Sequence, residues 1–264
     1  MAAIFYEPST RTRLSFEAAM LRLGGGVIST ENAAQMSSAA KGESLRDTMR
    51  IVAGYADLIV LRHHDQGSAQ LAAEVADVPV LNAGDGPGEH PTQALLDAYT
   101  IQRWRGGLDG LHTVFMGDSL YGRTIHSLCL LLRLFPGQHY TFVAPPNAQP
   151  PRALLQELVA GGVRLTVTSD LVAAVRSADV LYVTRVQRER FADPSEYERA
   201  ARCYRVGPEV LEALPPTGII LHPLPRVNEL PEEVDTDPRA AYFQQARLGV
   251  PIRMALLGRA LGVL

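Results

Sequence analysis

Cysteine is scarce in this chain. Among 264 residues there are two, Cys129 and Cys203, far apart and in no CxxC pattern. That excludes a disulfide framework and a cysteine-ligated zinc site, and it fits a reducing cytosol. No apolar run is long enough to span a bilayer. The opening Met1-Ala2-Ala3-Ile4-Phe5-Tyr6 has no basic leader and no full apolar core, so it reads as a buried strand and not as a signal peptide. An excess of positive charge is also missing. The net charge is −3, which gives no field for nucleic acid or for an acidic membrane. Internal repeats and low-complexity segments are absent as well. What remains is 47% hydrophobic and 20% charged, the composition of a soluble globular protein with a large core.

Strand and helix patterns alternate along the chain. Strands are expected at Ala2–Tyr6, Leu58–Leu61, Val78–Asn82, His112–Met116, Tyr140–Ala144, Val163–Thr168, Val180–Thr184 and Ile219–His222. Helices are expected at Ser9–Leu23, with Leu14, Ala18 and Leu21 on one stripe, and from Pro91 through Trp104, with proline at the favoured first position. Further helices are expected at Gly122–Phe135, after the cap Asp170, and at Ile252–Leu261. This alternation predicts an α/β fold of two doubly wound domains, each a parallel sheet flanked by helices. The glycine-rich break at Gly106-Gly107-Leu108-Asp109-Gly110 divides them. The first domain spans 1–105, with a C-terminal helix at 250–264 packing back on it, and the second spans 106–249.

Four clusters carry chemistry. Ser9-Thr10-Arg11-Thr12-Arg13 lies where a strand gives way to a helix. Free N–H groups and positive dipole at a helix start, joined by hydroxyls and guanidinium, make a phosphate cradle. A plain serine cap with solvated arginines reads the same residues equally well. His90-Pro91-Thr92-Gln93 opens another helix, and His90 and Gln93 share a face there. A capping histidine is the blander reading. Arg62, Arg123 and Arg185 follow apolar strands or sit in glycine-bounded turns. Open α/β sheets bind ligands at strand C-termini, and guanidinium forks suit carboxylates and phosphates. Singly these are surface arginines; three together point to a polyanionic ligand. His222-Pro223-Leu224-Pro225-Arg226 follows a strand, with two prolines bracketing one leucine. A cis bond before Pro225 is compatible with that pattern, although cis is the minority state.

On these residues the chain resembles the aspartate/ornithine carbamoyltransferase family. Ser9-Thr10-Arg11-Thr12-Arg13-Leu14-Ser15-Phe16-Glu17 is similar to its carbamoyl phosphate signature, and His90-Pro91-Thr92-Gln93 to its second signature. Ser37 and Lys41-Gly42-Glu43-Ser44 resemble its flexible loop. Thr184-Arg185-Val186-Gln187-Arg188-Glu189-Arg190 resembles the aspartate-binding segment, and the ornithine branch carries His-Cys-Leu-Pro where this chain has His222-Pro223-Leu224-Pro225. Matches run in order from Phe5 to Ala246.

The resemblance implies transfer of a carbamoyl group from carbamoyl phosphate to the amine of L-aspartate, an early step of pyrimidine biosynthesis. It implies that Ser9, Thr10, Arg11 and Thr12 hold the phosphate, with Arg62 and Lys41 adding charge. Thr12, Arg62 and His90 polarise the carbamoyl oxygen, and Gln93 and the Leu224 carbonyl, set by Pro225, hold the nitrogen. Arg123, Arg185, Gln187 and Lys41 bind the aspartate carboxylates. No metal or cofactor is implied. The partners implied are further copies of the chain, as a cytoplasmic homotrimer in which Ser37 and Lys41 reach a neighbour's site; attachment of regulatory chains stays open. Family chains carry a leading helix ahead of the strand with which this sequence opens. The resemblance therefore implies that the helix is missing and the C-terminal helix partly uncovered. An ornithine-like carbamoyltransferase and a truncated non-catalytic homologue are the competing readings, and a nicotinamide-binding fold is set aside for want of a GxGxxG after a strand.

Overall fold

The computed structural model describes residues 1–33, 41–185, 193, 197–198 and 204–264. The chain folds into two compact units, Met1–Gln93 with Leu248–Leu264, and Ala94–Arg247. In the first unit, β1 (Ala2–Phe5), α1 (Thr10–Arg22), β2 (Ile28–Glu31), α2 (Leu45–Ala53), β3 (Ile59–His63), α3 (Ser68–Ala73) and β4 (Val80–Asp85) follow in order, and α4 (Pro91–Arg105) begins. The strands form one parallel sheet in the order β2-β1-β3-β4. β1 is buried along its whole length, as a central strand covered on both faces must be. Ala3 and Phe5 pack with Phe16, Ala19 and Met20 of α1, while Ala2 and Ile4 pack with Met49 of α2 and Ala72 of α3.

The second unit runs β5 (His112–Met116), α5 (Arg123–Leu132), β6 (His139–Val143), α6 (Arg152–Ala160), β7 (Arg164–Thr168), α7 (Leu171–Val175), β8 (Val180–Val183), α8 (Pro208–Ala213) and β9 (Ile219–Leu221). Its sheet is also parallel, ordered β7-β6-β5-β8-β9. One face is aromatic: Phe115, Tyr140, Phe142 and Tyr182 meet Ile125, Leu128 and Leu132 of α5. On the other face Val114, Leu181 and Ile220 meet Val175 of α7 and Val210 of α8. The last helix, α9 (Tyr242–Ala260), contributes Tyr242 to this second core and Leu257 to the first.

Several expectations need correction. The stripe of Leu14, Ala18 and Leu21 is not the buried face of α1: Leu14 is 49% and Leu21 63% exposed, and Thr12, Phe16, Ala19 and Met20 face inward. Both faces of α1 carry apolar side chains, so periodicity alone does not choose between them. By packing, the compact units divide between Gln93 and Ala94, inside α4, because Ala98 and Ile101 join the second core. α9 is longer than Ile252–Leu261 and carries Pro251 inside it. β2 escapes the pattern because its Ile-Ser-Thr-Glu is a polar edge strand, held by backbone pairing to β1. The unread α2 does have a start signal: the Ser44 side chain accepts the Asp47 N–H at 3.2 Å.

Candidate functional site

In each sheet the chain order reverses at one place, and open α/β sheets bind ligands at that switch, beyond the strand C-termini. In the first unit the switch lies between β1 and β3. β1 ends with Phe5 in register with Arg62 of β3. The chain then passes Glu7, Pro8 and Ser9 and enters α1, so the free N–H groups of the α1 first turn face the same edge as Arg62. Ser9 occupies the N-cap position without capping through its side chain; its backbone N–H donates to Glu31 Oε1 at 3.2 Å. Thr10 and Arg11 are exposed and Thr12 is buried. Arg13 is committed elsewhere, to Glu17 at 3.0 Å and Glu31 at 3.3 Å. Arg62 is fixed by Glu7 at 3.0 Å and by the Ala83 carbonyl at 3.2 Å.

The third neighbour along this edge, β4, delivers the second motif. Asp85 holds its loop: one carboxylate oxygen accepts the Glu89 N–H at 2.8 Å and the Asn82 amide at 3.2 Å, the other the Gly67 N–H at 2.9 Å. Gly86 has φ +55°, and a Cβ there would stand 2.0 Å from the His64 carbonyl oxygen, so only glycine allows this approach to the end of β3. The loop leads into buried His90, whose carbonyl accepts the Gln93 N–H at 3.0 Å. Ser9 to Thr12 thus follow β1, Arg62 lies near the end of the adjacent β3, and His90 and Gln93 follow β4. Lys41 is exposed, and Ser37 lies outside the described residues.

The second unit repeats the logic at the switch between β5 and β8. After β5, Gly117 has φ +120°, and a Cβ there would stand 2.3 Å from the Thr184 carbonyl oxygen. The close approach lets the Asp118 N–H donate to the Arg185 carbonyl at 3.4 Å. The Asp118 carboxylate accepts the Leu120 and Tyr121 N–H groups at 3.1 and 3.0 Å, an Asx turn that sets the start of α5 at Arg123. Arg123 after β5 and Arg185 after β8 therefore stand on neighbouring strand ends. Beyond β9, the next strand, come Leu224, with φ +54°, and a cis bond to Pro225. Gln187 lies outside the described residues.

Supporting residues were harder to read. Asp118 advertised itself by standing between Gly117 and Ser119 in a turn-prone stretch, and Asp85 likewise between Gly84 and Gly86. Glu31, on a polar edge strand, had no local signal. Cys129 is a buried cysteine packed in the aromatic core, and Cys203 lies outside the described residues.

Both ligand edges are built from arginines, helix starts and turn N–H groups, the chemistry of a protein that binds two anionic molecules. Residues 1–103 match the family model described as the aspartate/ornithine carbamoyltransferase carbamoyl-P binding domain, and residues 109–259 match the corresponding Asp/Orn binding domain. The chain belongs to the aspartate/ornithine carbamoyltransferase family. It is 53% identical over 258 residues to the chloroplastic aspartate carbamoyltransferase of Oryza sativa, covering 97% of this chain and 71% of that one. It is 50% identical over 264 residues to the aspartate carbamoyltransferase catalytic subunit of Methanococcoides burtonii, covering 100% and 85%. Among solved structures, the catalytic subunit of M. jannaschii aspartate transcarbamoylase superposes with a TM-score of 0.92 at 49% identity, covering 99% of this chain and 84% of that one. The Trypanosoma cruzi aspartate transcarbamoylase in complex with N-(phosphonacetyl)-L-aspartic acid gives 0.90 at 42% identity, covering 97% and 82%.

Proposed function

We propose that the chain transfers the carbamoyl group of carbamoyl phosphate to the amine of L-aspartate, releasing N-carbamoyl-L-aspartate and phosphate. The observation that carries this reading is the placement of Arg123 after β5 and Arg185 after the adjacent β8, with the Asp118–Arg185 backbone bond joining the two segments. Two guanidinium groups suit the two carboxylates of aspartate; ornithine, with its extra cation, calls for acidic partners instead. The relatives named aspartate carbamoyltransferase support the same choice.

In this reading Ser9, Thr10, Arg11 and Thr12 hold the phosphate at the start of α1, with Arg62 and Lys41 adding charge. Thr12, Arg62 and His90 withdraw electrons from the carbamoyl oxygen. The aspartate amine attacks the carbamoyl carbon, the oxygen gains negative charge, and these donors stabilise it. The bond to the phosphate oxygen then breaks, and the departing phosphate takes the amine proton. Gln93 and the Leu224 carbonyl orient the carbamoyl nitrogen, and Lys41 and Gln187 join Arg123 and Arg185 on the aspartate. Most of the acceleration comes from aligning two anions that repel each other in water. We assign this step to pyrimidine synthesis in the cytoplasm. No helix among the described residues is long and apolar enough to cross a membrane. The working assembly is a homotrimer in which Ser37 and Lys41 complete a neighbouring site, with regulatory chains as optional partners.

The deciding experiment supplies carbamoyl phosphate at saturation and offers aspartate and ornithine separately. Carbamoyl aspartate alone is the expected product; citrulline from ornithine would transfer the chain to the other branch.

A further inference from the structure

A set of buried polar residues in the second unit has no part in substrate contact. Asp97 of α4 accepts the Tyr182 hydroxyl at 2.7 Å and the Gln245 amide N–H at 2.6 Å. The Gln245 amide oxygen accepts the His222 backbone N–H at 2.9 Å. The His222 imidazole then works in two directions. Nδ1 accepts the Leu224 N–H at 2.7 Å, so that nitrogen is bare and the ring proton sits on Nε2. Nε2 donates to Glu229 Oε1 at 2.8 Å, and the Glu229 carboxylate also accepts the Val227 N–H at 3.1 and 3.2 Å. Asp97 and Tyr182 are fully buried, and Gln245, His222 and Glu229 nearly so. Burying such groups is costly, and apolar residues of the same size would make a core without that cost. What the polar set does instead is specify one backbone conformation. It grips the Leu224 N–H at one end and the Val227 N–H at the other, with the Leu224 carbonyl between them.

We propose that His222 and Glu229 are a positioning pair for carbamoyl transfer. They hold the Leu224–Val227 backbone so that the Leu224 carbonyl meets the carbamoyl nitrogen in one orientation, while Asp97, Gln245 and Tyr182 anchor the pair to α4, α9 and β8. The inference rests on the reading of Leu224 as a carbamoyl contact. Apolar φ-positive backbone between two prolines does not hold itself; Leu224 at +54° is kept there by partners on both sides.

The test uses the two half-mimics of histidine in the full-length enzyme. His222→Asn keeps an acceptor for the N–H two residues on, as in an Asx turn. His222→Gln keeps the reach to Glu229 and loses that acceptor. The two side chains carry similar burial costs, so a purely structural role lowers stability alike and leaves the kinetics of folded enzyme alike. Positioning predicts that the Gln variant falls about tenfold or more below the Asn variant in kcat/KM for carbamoyl phosphate, with KM rising and kcat falling together. Equal kinetics per folded molecule would overturn the proposal. Should either variant not fold, Glu229→Gln and Glu229→Leu decide it. Gln retains acceptors for both N–H groups and recovers about tenfold of the activity that Leu loses; no difference between them overturns the proposal. A wild-type chain with no carbamoyl transfer would instead strike the underlying reading, so the two failures are distinguishable.

Discussion

A single arginine illustrates how little of a binding site is local. Arg185 is an ordinary post-strand arginine until the Asp118 N–H binds its carbonyl and places it beside the turn that leads to Arg123. Gly117 makes that approach possible, since any Cβ would collide with the Thr184 carbonyl. Replacement Arg185→Ala is expected to raise KM for aspartate about 10- to 100-fold, the loss of a charge-assisted pair worth roughly 1.5–3 kcal/mol. Carbamoyl phosphate affinity should stay near the wild-type value, because that substrate is assigned to the other sheet. Steady-state kinetics with each substrate varied in turn check this. An equal fall in both affinities would place Arg185 with the fold and not with aspartate.

Elements respond to acid through their histidines. His63 on β3, His139 on β6 and His222 after β9 are all held below the ordinary imidazole value, in each case chiefly because burial disfavours the charged ring. Burial alone would push Glu229 up, but its hydrogen bond from His222 and its backbone N–H partners outweigh this and leave it below the usual carboxylate value. The signs then agree. Between the folded and unfolded values of these histidines, the unfolded chain binds more protons, so stability rises with pH. Their contribution is complete above about 6.5 and is lost as the pH falls below it. Glu229 holds its contribution to lower pH and loses it as the pH falls through its folded value. The urea midpoint should therefore drop between pH 7 and pH 5, with His222 alone supplying a limiting slope of about 1.4 kcal/mol per pH unit. His222→Asn should flatten the curve. An unchanged slope would mean that this ring titrates normally.

For the molecule as a whole, each unit has its own parallel sheet, and α9 supplies residues to both cores. The proposal that Lys41 serves a neighbouring site makes a prediction that only an assembly can satisfy. Lys41→Ala and Arg11→Ala chains are each expected to be nearly inactive. Mixed after dissociation, they should recover part of the wild-type rate, because some sites then draw both intact residues from different chains. Complete failure to recover, with hybrid trimers demonstrated by electrophoresis, would place Lys41 in the site of its own chain.

Much of this was legible in the linear chain. Short continuous apolar runs alternating with period-3.6 patterns announced parallel α/β sheets, because a strand buried on both faces must be continuously apolar, as Ala2–Phe5 and Val180–Val183 are. Short motifs such as Ser9–Arg13 and His90–Gln93 carry their chemistry in adjacent residues, so they too could be read directly. Tertiary structure alone decided three things. It chose which apolar face of α1 is buried, since Leu14 and Phe16 are equally hydrophobic and only the sheet distinguishes them. It placed the division of the units inside α4, where Ala98 and Ile101 find their core. And it joined Asp97, Tyr182, Gln245 and the His222–Glu229 segment into one hydrogen-bonded set. Hydrophobic pattern is a local property and can be read in one dimension; the partner of a buried polar group is chosen by the fold.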